Sequence, residues 1–131
     1  MVKSMRYAEN IPSKNEDEQP VPLSWRPVLS EIADRLANRD YTLTIRPGNV
    51  SPIDDNLAAL VAHQIGSYGG ELTSLLDESW DRAVYLWMGE HWEVLVDLCT
   101  REKGVSDLGL FVKVFEQAEG FRFEVWSVHV P

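Results

Sequence analysis

Asp97 and Cys99 place a carboxylate and a thiol two positions apart, on what alternation makes one face of a strand. A nucleophilic thiol needs a base within hydrogen-bond reach and donors for a developing oxyanion. No glycine-rich elbow and no helix start adjoins Cys99, so a structural cysteine is expected. Glu93 lies on the same face as Asp97, and paired carboxylates can do acid–base work. Two solvated charges are the plainer expectation. The histidines His63, His91 and His129 show no ligand spacing. Glu90-His91-Trp92-Glu93 could offer donors to a divalent cation, but alternation sends neighbouring side chains to opposite faces. His63 is expected on the polar side of a helix, and His129 on the core-facing register of the last strand. Gly66 to Gly70 end a helix where a phosphate site should begin one. No catalytic residue, metal ligand or cofactor is therefore assigned.

The charge narrows the partners. The chain of 131 residues carries a formal net charge of −9. Residues 1–20 hold three basic and four acidic groups, which leaves nine basic against seventeen acidic in residues 21–131. The acidity thus belongs to the expected folded body, and it disfavours nucleic acid and anionic membrane. An acidic surface fits a basic protein partner, and it also serves solubility. An apolar fraction of 44% with five Trp is ample for a core, and the lone cysteine cannot form an internal disulfide. No signal-peptide or membrane-spanning run is present in the sequence, so a cytoplasmic location is expected.

The elements that must position these residues follow from periodicity. Residues 1–20, with prolines at 12 and 20 and the run Asn15 to Gln19, read as a disordered tail ahead of a single α+β domain at 21–131. Ser24 is expected to cap a first helix running to about Asn38, with Leu23 and Val28 as a hydrophobic staple. Tyr41 to Ile45 alternates weakly, as a short edge strand would. Ser51 and Pro52 are expected to open a second helix that Gly69-Gly70 ends. Glu71–Leu75 reads as a short strand and Asp77–Asp81 as one helical turn. From Arg82 the apolar period becomes two, with hairpins around Gly89-Glu90 and around residues 117–120. The fold class is α+β: two N-terminal helices on one face of an antiparallel sheet of four or five strands, the C-terminal part a meander.

Hairpin register then sorts the sheet into faces. Trp87 opposite Trp92, Tyr85 opposite Val94, Val114 opposite Phe123 and Val112 opposite Val125 make one apolar face, assigned to the core. The same register sets Leu110 against Ser127 and leaves Val128 on the reverse face. That face carries Leu95, Phe111, Phe115 and Trp126 with Glu93, Asp97, Lys113 and Glu124 among them. Phe and Trp bring ~150–250 Å² of surface each, so such a face is either covered within the monomer or is an interface. Leu95, Phe111, Phe115, Trp126, Glu93 and Asp97 are accordingly the candidate protein interface, for self-association or another protein. The loop Arg101–Ser106 is the loop a partner would read.

Trp92-Glu93-Val94-Leu95-Val96-Asp97-Leu98, Gly104-Val105-Ser106-Asp107-Leu108 and the ending Val128-His129-Val130-Pro131 resemble a family of small uncharacterised bacterial proteins, a domain of unknown function. Ser24 to Leu29 and the region of Trp80 fit as well, so the likeness spans roughly residues 24–131. The resemblance implies a bacterial source and this fold, and it transfers no active-site residues. The sequence reads as a non-enzymatic protein-binding module, immunity-like in its acidity and size. A small-ligand or enzymatic cradle between helices and sheet, lined by His129, Ser127 or Tyr85, is the alternative.

Overall fold

The computed structural model describes residues 12–131. Its elements are β1 (Gln19–Pro20), α1 (Arg26–Ala37), α2 (Asp55–Tyr68), β2 (Leu72–Thr73), β3 (Val84–Trp87), β4 (Trp92–Thr100), β5 (Gly104–Gln117) and β6 (Gly120–His129). The α+β class is as the sequence predicts, but the antiparallel sheet has six strands. Its order is β1-β3-β4-β5-β6, with β2 also pairing with β4. β2 lies within the short strand expected at Glu71–Leu75. The strand that was not expected is β1, a two-residue piece with no alternation to read, whose Gln19 and Pro20 pair with Tyr85 and Val84 inside the expected tail.

Of the expected tail, residues 12–20 are described and lie against the sheet; residues 1–11 lie outside the described residues. Pro12 is buried. The Ser13 amide donates to the Tyr85 hydroxyl at 2.7 Å, and the Trp92 indole N–H donates to the Ser13 carbonyl at 2.8 Å. These bonds give buried polar groups of the sheet their partners.

Both helix starts differ from expectation for identifiable reasons. A 3-10 turn, Leu23–Trp25, precedes α1 and Ser24 makes no capping bond. The turn swings Trp25 into the core and leaves Leu23 71% exposed, so no staple forms. For α2 the cap is Asp54, which accepts the Leu57 amide at 2.8 Å, three residues later than Ser51. Ser51 is engaged elsewhere. Its amide donates to Phe123 O while Phe123 N donates to Asn49 O, a parallel bridge that ties residues 49–51 to the edge of β6. Residues 41–45 form no strand. The Asp40 carboxylate accepts the amides of Thr44 and Ile45, which hold it below the ordinary aspartate range, and Leu43 takes a left-handed turn with φ 54° that buries its side chain. At the other end of α2, Gly69 adopts φ 90° as the C-cap.

The sheet's core face is as the register predicts: Val94, Val96, Val112, Val114, Phe123 and Val125 are buried beneath the helices. Gly89, with φ 96°, supplies the positive dihedral its tight turn requires. Trp25 is the centre of the layer, its ring edge-on to those of Tyr85, Trp92, Phe121 and Phe123.

The outer sheet face as candidate functional site

β6 departs from simple alternation at Trp126. Val125 pairs with Val112 but Ser127 pairs with Phe111, so Trp126 is an extra residue in the strand, a β-bulge. Everything after it changes face. Val128 pairs with Leu110 and is buried in the core, where Ser127 was expected. Ser127 and His129 move to the outer side. His129 is therefore not a core histidine: its ring stacks on Phe111 at 4.2 Å and 4°, and Ser127 Oγ lies 2.6 Å from its Nδ1. Trp126 packs on Phe111 at 5.5 Å, and the Lys113 ammonium lies 5.8 Å from the Trp126 ring.

The outer side is thus an aromatic cluster at the bulge bordered by charge. Phe111 is only 8% exposed, because His129, Trp126 and Leu95 lie over it. Gly109 makes this packing possible: a Cβ there would meet Leu95 Cδ1 at 2.7 Å and Phe111 Cε1 at 3.1 Å. Phe115, Trp126, Leu95 and Glu93 are half-buried. Phe115 lies between the His91 ring, 5.2 Å away, and the Arg122 guanidinium, 4.3 Å from its centre. Across the strands, Leu86, Glu93, Lys113 and Glu124 stand in one row, and Leu95, Phe111 and Ser127 in the next.

Sequence reasoning put Leu95, Phe111, Phe115, Trp126, Glu93 and Asp97 on one face. Packing joins Phe111 to Leu95 and Trp126, and sets Phe115 apart at the opposite end. It missed His129 and Ser127. The signal was present: Val125 and Val128 are three apart where strict alternation demands two, the mark of a bulge in an apolar strand.

Asp97 and Cys99 are shut away from that cluster. Residues 74–82 carry the Asp77–Trp80 3-10 turn, which packs on β4, and put the buried Ser79 hydroxyl 3.0 Å from Cys99 Sγ. Cys99 is fully buried, as a structural cysteine would be. Glu93 and Asp97, four residues apart on β4, are separated by about 13 Å at ~3.3 Å per residue, too far to share a proton. Asp97 is 8% exposed, with Arg82 Nη2 at 3.8 Å from a side chain that is 80% exposed. Burial pushes its carboxyl above the ordinary aspartate range; Arg82 opposes this and Asp107 adds to it.

An acid whose folded pKa is raised costs stability as pH climbs from its unfolded value to its folded one. Asp97→Asn is therefore expected to be more stable than wild type at pH 7. The gap should close as pH falls toward about 4, the ordinary aspartate value. Urea midpoints across that range test this. A variant less stable at pH 7 would mean that the Arg82 contact outweighs desolvation.

Of the residues expected to line a cradle between helices and sheet, Ser127 stands on the outer side, the Tyr85 hydroxyl faces Ser13, and His129 borders a cavity from the edge of the sheet. A cavity of about 570 Å³ lies where α1 and α2 end, bordered by Leu36, Arg39, Tyr41, Gly69, Glu71 and Glu102. Another, of about 360 Å³, touches His129 from the side of Gln64 and Tyr68. The loop expected at Arg101–Ser106 is shorter, since β5 begins at Gly104; Lys103 in it donates to the Tyr68 hydroxyl at 2.9 Å. Among the described residues no group of three metal-ligating side chains converges, and no helix is long and apolar enough to cross a membrane.

No curated protein and no solved structure matches the chain. A family model does, over residues 33–131, from within α1 through the whole C-terminal sheet. That span is well over half of the sequence, and the chain belongs to the family described as Domain of unknown function (DUF7668).

Proposed function

We propose that the domain works as a protein-binding module whose contact surface is the outer sheet face. The observation that carries this is the Phe111–His129–Trp126 stack, with Leu95 beside it and Lys113 at its rim. Aromatic side chains held rigid by one another lose little conformational freedom on binding, which is why such groups dominate interface energetics. The mixture is that of an interface, an aromatic centre with charges around it. Gly109 and the bulge at Trp126 serve this surface, because together they let Phe111 lie flat under His129 with Trp126 tilted against it.

A photo-crosslinking amino acid in place of Phe115, at the margin of the face, tests the proposal in the cells that make the protein. A discrete adduct is expected from that position and none from His63, which is exposed on α2. No adduct from either position, or the same adducts from both, would sink it.

A further inference from the structure

We infer that the occupant of the outer face is a second copy of this chain, packed face to face about a two-fold axis; this rests on the outer face being a binding surface. Two chains that each carry −9 repel, so they can associate only where local charge cancels. The outer face is such a place. In the open rows of the face its acids are Glu93 and Glu124 and its bases Lys113 and Arg122, while Arg82, Asp97 and Asp107 lie together at the closed end. The surplus of negative charge therefore lies off these rows. A basic partner would be drawn to that remainder and not to this neutral face.

The register also makes the face self-complementary. Glu93 stands beside Lys113, and Leu95 beside Phe111, on the adjacent strands β4 and β5. A two-fold axis running along the strands, between β4 and β5 and midway between two sheets packed about 10 Å apart, lays β4 of one copy over β5 of the other. Glu93 then meets Lys113 twice, and Leu95 twice meets the His129 and Trp126 rings that cover Phe111. In the same row Leu86 meets Glu124, so no like charges oppose one another.

Sedimentation of the full chain from micromolar to millimolar concentration tests this. Wild type is expected to dimerise. Glu93→Lys and Lys113→Glu are each expected to weaken the dimer about tenfold or more, and the double reversal E93K/K113E to restore it. The double reversal keeps the intrachain cross-strand pair, and melting curves of all four proteins show whether each is folded. Glu93→Lys is the decisive variant. It lowers the net charge from −9 to −7, so general repulsion alone predicts tighter association, and pairing across the face predicts weaker. A tighter E93K dimer, a double reversal that stays dissociated, or a wild type that is monomeric throughout overturns the inference. If Phe115 adducts with a different protein still form, protein binding at this face stands without the second copy.

Discussion

Trp25→Ala is expected to cost about 3–5 kcal/mol of folding stability, the range for removing a large aromatic from a filled core. Trp25 is 1% exposed, and four rings surround it at 5.4 to 6.0 Å between centres. These rings come from β3, β4 and β6, so the indole is the point at which the N-terminal segment is fastened to the sheet. A domain of this size has only ~5–15 kcal/mol in total, and the loss would be a large share of it. Trp25→Phe should cost less than half as much. The buried Trp25 Nε1 has no hydrogen-bond partner among the described residues, and an orphaned donor costs ~1–3 kcal/mol that phenylalanine would relieve. Urea unfolding followed by far-ultraviolet circular dichroism checks both variants. If alanine costs under about 1 kcal/mol, the core is not centred on Trp25; if phenylalanine costs as much as alanine, the orphaned N–H carries no penalty.

How legible each part was depended on whether its cause was local. The hairpins were, because Gly89 and the pairing of Trp87 with Trp92 are fixed by a two-residue turn and strict alternation around it. The C-cap at Gly69 was too, since a glycine after an apolar helical stripe needs no distant partner. What the sequence hid was set across the fold. Ser51 has every local property of a cap, yet its amide is taken by Phe123, 72 positions away. Residues 41–45 are an exception, hidden although the cause is local: Asp40 accepts the amides four and five positions ahead and makes a loop of residues whose apolar pattern suggested a strand.

The candidate site divides the same way. Leu95, Phe111 and Phe115 fell on the outer face by counting from a hairpin. His129 did not, because one extra residue at Trp126 inverts the parity of all that follows. Asp97 was read correctly as outward and wrongly as solvated. The 3-10 turn at Asp77–Trp80 closes over that end of the sheet, and no property of Asp97 itself announces this.

Deleting residues 1–17 is expected to lower stability by about 2–4 kcal/mol, where removal of a mobile tail would change nothing. Two effects compete in setting the size. Lys14 bridges Glu116 at 2.8 Å and lies 5.1 Å from the Trp87 ring, but both charges are exposed, and such pairs contribute ~0–1 kcal/mol. The two hydrogen bonds of Ser13 are of another kind. They serve the Tyr85 hydroxyl and the Trp92 indole, in residues that are 5% and 0% exposed. Stripped of Ser13, each is a buried polar group without its partner, at ~1–3 kcal/mol apiece, less whatever water recovers at the opened edge. The hydrogen bonds should therefore win. Lys14→Ala isolates the smaller effect and is expected to fall below about 1 kcal/mol, while the deletion keeps nearly its full cost at high salt, where the ion pair is screened. The Trp92 indole proton reports on the same contact directly. It should exchange slowly with solvent in the full chain and quickly after the deletion, and equal rates in both would mean that Ser13 does not close the core.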